Sequence, residues 1–269
     1  MARYKKLIAQ TQQELEAFQG YLSVELQAVS EQSIALATKH AEQLILQSSK
    51  EAGLVVSLSD TIPTGAVKTL LGFLDPDGPL YKRLLYFGAE NAANISAALL
   101  EGVGLGYGAD KLARYVINQG FGGGLTDALR MVRTSQVYAY REASRANYIA
   151  NQNIVRGWIW YSALIPGRTC MSCVNQHGSE HGLDERLNDH HAGLCTPIPL
   201  VGDNPVKERG AEWFDKQPEA TQKQMMGQGK YTAWSEGKIS IDQLSRTVDN
   251  DVYGKMQTET PLKDLIKDE

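Results

Sequence analysis

The chain has 269 residues, 42% of them hydrophobic and 22% charged, with a formal net charge of −4. That length buries a real core and suits one or two domains, and the charge balance singles out no partner. No window approaches the roughly 18 to 20 uninterrupted apolar residues of a membrane span. The basic start, Met1 to Lys6, runs into an amphipathic stretch rich in Gln and Glu, which is not the pattern of a secretory signal. All three cysteines fall in one stretch. They cannot all pair, and the absence of cysteine elsewhere argues against a disulfide scaffold and for a reducing, intracellular setting.

Residues 11–50 read as one long helix. Leu15, Leu22, Val29 and Leu36 recur every seven positions, flanked by Phe18, Leu26 and Leu44. A helix of about 40 residues runs about 60 Å, longer than a small domain is wide. Part of its stripe is therefore expected against another chain, with an intramolecular helical hairpin as the alternative. Helical patterns resume at 62–75 and 80–102, separated by the turn signal Asp75-Pro-Asp-Gly78. Gly102-Val-Gly-Leu-Gly-Tyr-Gly108 resembles a phosphate loop, but no apolar strand precedes it and no Lys-Ser/Thr closes it. A hinge is the better reading. A short helix at 109–119, a glycine cluster at 120–124 and a long helix at 125–151 follow. The last carries Arg130, Arg133, Arg141 and Arg145, spaced to lie near one face. Such a face suits phosphate or an acidic partner surface, and its plain alternative is intramolecular pairing with Glu142 and the acidic tail. The charge distribution agrees: 110–168 holds eight Lys/Arg against three Asp/Glu, and 170–269 holds eleven against seventeen.

The period then changes. Ile154–Leu164 is aromatic and β-branched, with Trp158 and Trp160 on one side of a strand and Ile159 and Tyr161 on the other. A second apolar run, Thr196–Val201, carries prolines that confine it to a sheet edge. The two strands are expected to pair and hold the loop between them. The tail, 205–269, reads as short helices beginning near Ala211, Pro218 and Ile239.

The loop concentrates the chemistry. Cys170-Met-Ser-Cys173, His177, His181, Asp189-His190-His191 and Cys195 bring every cysteine and all but one histidine into 26 residues. Zinc takes four N/S ligands in a tetrahedron, often as a Cys-x₂-Cys knuckle plus a distant pair. Cys170 and Cys173 supply the knuckle and Cys195 the third ligand. His190 or His191 supplies the fourth, with His177 and His181 in reserve. Three thiolates and one imidazole make a closed, structural site. The plain alternative is a set of buried thiols and surface histidines. His40, alone on the long helix, reads as a surface or packing residue. Asp189-His190-His191 after a Cys-x₂-Cys also resembles the front half of an HNH nuclease, but no histidine follows His191 to complete the metal site. A Cys-His hydrolase needs one activated thiol rather than a pair, and a thioredoxin-like reading lacks its βαβ setting.

Several separated motifs, in order, resemble the Mu F-like minor head protein (head morphogenesis) family of tailed bacteriophages. They are Ala128–Thr134, Arg141–Arg145, Val155–Trp160, Arg168–Gly178, Leu183–Glu185, Asp189–Pro199 and Glu212–Gln222 with Gly227, covering roughly 105–247. The family pattern usually has Glu where this chain has Ser135, Asp where it has Ile165-Pro166, and Arg where it has Leu194. It often has His-Pro at His190-His191, which favours His190 as the ligand. The resemblance implies a minor capsid protein with no established enzymatic role, located in the virion at the portal vertex and made in the host cytoplasm. It implies multiple copies, portal and capsid or scaffold proteins as partners, and an involvement with double-stranded DNA during packaging or ejection. The expected fold is α+β and mostly helical. It divides into a helical partner-binding region (1–104), a basic helical region (105–153), a small β-hairpin domain with a zinc knot (154–203) and a short-helix acidic tail (204–269). The alternatives are a metal-dependent HNH-like nuclease and a non-viral zinc-knuckle adaptor.

Overall fold

The chain is α+β, and about half of it is helical. The computed structural model describes residues 2–58, 124–250 and 254–266, with isolated positions between 97 and 115. The helices expected at 62–75, 80–102 and 109–119, and both glycine clusters, lie outside the described residues apart from those positions and Gly124. Two compact units form: Met1–Ser33 with Lys68–Gln136, and Ile34–Val67 with Val137–Glu269. Helices α1 (Ala2–Glu51) and α2 (Gly124–Ala150) each contribute to both. The second unit holds the whole Cys/His stretch. Among the described residues, no helix is long and apolar enough to cross a membrane.

Of the seven-residue stripe of α1, only Leu36 falls in the second unit, and the side chains of Leu15, Leu22 and Val29 lie outside the described residues. Leu36 is 49% exposed, while Ile34, Ala37, Ala41 and Ile45 are buried. Their spacing of three and four places them on one face, and the two alanines let the backbone lie close to bulky neighbours. Ala41 and Ile45 pack with Tyr148 of α2 and with Trp158 and Trp160. Over this segment the partner of the long helix is the chain's own core. His40 is a packing residue here, its Nδ1 3.0 Å from the Tyr140 hydroxyl.

Strand β1 (Gly157–Tyr161) is the centre of a three-stranded antiparallel sheet, flanked by β2 (Glu180–His181) and β3 (Thr196–Leu200). The expected pairing of the two apolar runs is present, with Trp158 opposite Pro199 and Trp160 opposite Pro197. Pro197 and Pro199 have no N–H to donate and sit on an edge strand, where none is needed. The hairpin expectation is corrected by β2, two residues inside the loop that cover the other edge of β1. Gly157 permits this close approach: a Cβ there would lie 2.4 Å from the His181 carbonyl oxygen.

A second core lies on the far side of helix α3 (Met171–Gln176). Met171 and Val174 join Phe214, Met226, Ile241 and Leu244, contributed in part by the short helices α4 (Gly210–Asp215), α5 (Glu219–Met226) and α6 (Gln228–Ser235). Gly210 lets α4 reach α3, since a Cβ there would lie 1.9 Å from the Val174 carbonyl oxygen. The third tail helix, expected from Ile239 to Val248, is corrected. Only Ile241–Leu244 turns, as a 3₁₀ segment, and the chain then forms an antiparallel hairpin, β4 (Ser245–Asn250) with β5 (Gly254–Glu259), before a last short helix α7 (Leu262–Leu265). Thr247 and Val248 are β-branched, and Gly254 takes the positive φ (+73°) that a tight return requires.

Candidate metal centre

The knuckle is built by α3. Cys170 is extended (φ −70°, ψ 157°) and caps the helix, its sulfur accepting the Cys173 N–H at 3.4 Å. Cys173 joins the first core while Met171 and Val174 join the second, so hydrophobic packing holds the short helix on both sides.

Facing the knuckle is a segment without regular structure, Asn188 to Leu194. His190 Nε2 lies 3.1 Å from Cys170 Sγ and 3.3 Å from Cys173 Sγ. Its Nδ1 donates to the His191 carbonyl at 3.0 Å, an arrangement that frees Nε2 for the sulfurs whenever the ring is neutral. A zinc tetrahedron spaces sulfur and nitrogen ligands roughly 3.5 Å apart, so the two sulfur–nitrogen pairs need to open by only a few tenths of an ångström. Cys195 Sγ rests 3.1 Å from Ser162 Oγ. The donors fall into two triplets that share Cys173, namely Cys170–Cys173–His190 and Cys173–Asp189–Cys195, each within 4.8 Å.

The charges follow from this crowding. The hydrogen bond from Cys173, helped by His190, pulls the Cys170 thiol down to about 5. The same Cys170 contact, with the Asp189 charge behind it, lifts His190 to about 10. Cys173 is pushed up by its sulfur neighbours and by burial. Without a metal these shifts favour a thiolate–imidazolium pair at Cys170 and His190 beside a thiol at Cys173 that holds its proton. A bound cation would expel those protons.

Arg141 and Arg145 do not face outward. Arg141 is 6% exposed. Its guanidinium meets Asp189 Oδ2 at 2.7 Å and donates to the Cys195 and Gly193 carbonyls at 2.8 and 3.0 Å. Arg145 donates to the carbonyls of Leu183 and Glu185 at 3.0 and 3.2 Å. The expected phosphate-facing stripe is corrected at these two positions. A loop without ladder partners needs donors for its carbonyls, and a buried carboxylate needs a cation. Arg133 is exposed, and the Arg130 side chain lies outside the described residues.

The reserve histidines have other work. The buried His177 accepts the Ser162 N–H at Nδ1, 3.1 Å away. His191 Nε2 lies 3.3 Å from Asn250 Nδ2. His181 stacks on Trp158 at 4.2 Å and links Ser179 Oγ (2.8 Å) to Glu185 Oε2 (2.9 Å). That line has the connectivity of a catalytic triad. The Ser179 hydroxyl also meets the Gln176 carbonyl at 2.7 Å, and Glu185 also accepts the Gly182 N–H, so the line fastens the loop. The roles of Asp189 and Ser162 were not foreseen from the sequence. For Asp189 the trace is indirect: Gly193 follows it by four residues, and a Cβ on that glycine would lie 2.1 Å from Asp189 Oδ2.

No protein-family model, curated protein or solved structure matches the chain.

Proposed function

We propose that the chain is a minor head protein of a tailed bacteriophage, acting at the portal vertex, whose Cys/His centre holds one structural zinc. The ligands are Cys170, Cys173, His190 and Cys195, with Cys195 exchanging its Ser162 contact for the metal. One observation supports the metal above all: two knuckle sulfurs converge on a single ring nitrogen whose partner nitrogen is tied to a carbonyl. Three thiolates and an imidazole leave no open coordination position, so the zinc stiffens the fold and performs no turnover. The phage setting is supported by the ordered motifs from Ala128 to Gly227 and by the long α1, which continues well beyond the segment packed in the second unit.

DNA contact, in this reading, falls to Arg130 and Arg133, because Arg141 and Arg145 are engaged within the second unit. The gene is expected beside genes for a portal protein and a large terminase, and a neighbourhood lacking both contradicts the phage assignment. The nuclease alternative requires a water-bearing metal. A divalent-ion-dependent nicking assay is expected to show no cleavage, and cleavage abolished in His190→Ala would replace the structural reading.

A further inference from the structure

We infer that Arg141 and Asp189 form a positioning pair for the loop half of this metal centre, with Asp189 outside the coordination shell. The inference rests on the reading of the Cys/His set as a metal site. By distance alone Asp189 is a candidate ligand, since its carboxylate shares a triplet with Cys173 and Cys195. Both of its oxygens are already engaged. Oδ1 accepts the His190 N–H at 2.8 Å and lies 3.5 Å from Cys173 Sγ. Oδ2 accepts Arg141 Nη2 at 2.7 Å and the Cys195 N–H at 3.2 Å. The Cys173 contact goes when that thiol gives up its proton to a metal, and three N–H donors, one of them the Arg141 guanidinium, still hold the carboxylate where it is.

The same pair grips the two ligands that no regular element supports. Asp189 binds the backbone N–H of His190 and of Cys195, and Arg141 closes the grip on the carbonyls of Cys195 and Gly193. The two side chains are 7% and 1% exposed, so water competes little for these bonds. Gly193 leaves room for the carboxylate, which a side chain there would displace. The consequence is chemical as well as geometric. With Asp189 held back by Arg141, the first shell is three sulfurs and one nitrogen, a soft set that favours zinc over hard oxygen-seeking cations.

The test uses the full chain and the variants Asp189→Asn, Arg141→Gln and Arg141→Lys. Zinc affinity is measured by competition with a chelator, and Co²⁺ replaces zinc for absorption spectra. Outer-shell partners of metal ligands typically change affinity roughly 10- to 100-fold. Asp189→Asn and Arg141→Gln are expected to lose affinity in that range while keeping one metal per chain and the thiolate-to-cobalt absorption of the parent. Arg141→Lys is expected to recover part of the loss. A changed cobalt coordination spectrum in Asp189→Asn makes Asp189 a ligand and overturns the inference. So does an unchanged affinity in Asp189→Asn and Arg141→Gln alike, the result expected of a pair that only supports the fold. Should Asp189→Asn fail to fold, the two Arg141 variants decide by the same affinity criterion. A parent protein that binds no metal overturns the underlying reading instead, and is recognised before any variant is compared.

Discussion

The two halves of the Cys/His centre are held by different forces. The knuckle half sits on α3, wedged between two hydrophobic cores, with Cys173 against one and Met171 and Val174 against the other. The loop half, Asp189 to Cys195, reaches a core only at its end, through Cys195, and otherwise hangs on Arg141, Asp189 and backbone hydrogen bonds. Hydrophobic packing is non-directional and tolerates small changes of shape. A buried ion pair fails abruptly when one partner is removed, because the other is left charged and unpaired. The knuckle should therefore respond to reduced volume, and the loop to removed charge.

The largest effect is expected from Phe214→Ala, which empties the centre of the second core. A loss of about 4 kcal/mol in denaturant unfolding is predicted from core truncations of this size, with the knuckle affected only through α3. Arg141→Met keeps the bulk but strands Asp189. It is predicted to cost about 3 kcal/mol, and Arg141→Met combined with Asp189→Asn should cost less than Arg141→Met alone. If the double variant is the worse of the two, the loop is held by packing and the contrast between the halves fails. Gly157→Ala forces a Cβ against the His181 carbonyl and should cost about 2 kcal/mol by overpacking. Its local sign is loss of amide-exchange protection in β2, with β3 retaining its own.

The smallest stability effect is expected from Arg133→Ala. Exposed substitutions of this kind stay within about 0.5 kcal/mol, so any change it brings should appear in binding. If Arg133 neutralises one DNA phosphate, its removal lowers the logarithmic salt slope of affinity by about one. Arg133→Ala is expected to show that drop, and an unchanged slope removes Arg133 from the proposed interface.

The same contrast between local and distant forces governs what the residues reveal on their own. The knuckle and the flanking strands are legible because their signals are local: a Cys-x₂-Cys spacing, an alternating Trp-Ile-Trp-Tyr run, and prolines that belong on an edge. The extent of α2 is legible from periodicity, and so is the body of α1, which begins at Ala2 rather than at residue 11; the inward turn of Arg141 is not legible. Helical spacing fixes which residues share a face and leaves open whether that face meets solvent or the chain's own loop. The role of Asp189 is illegible for a related reason. Its partners are 48 residues back on α2 and six residues ahead at Cys195, and nothing in its immediate neighbours announces either. The β4–β5 hairpin reads as a helix because Ile241 and Leu244, spaced as on a helix, are buried at its entry, ahead of the strand-favouring Thr247 and Val248.

Above all, the knuckle and the loop are proposed to meet through a metal ion. Elemental analysis of the full chain, purified without added metal and dialysed, addresses this without intermediaries. About one zinc per chain is expected, removable by a strong chelator only with a clear fall in stability, since structural zinc contributes folding free energy. A fully folded protein that contains no zinc, and whose unfolding is unchanged by zinc or chelator, would contradict it.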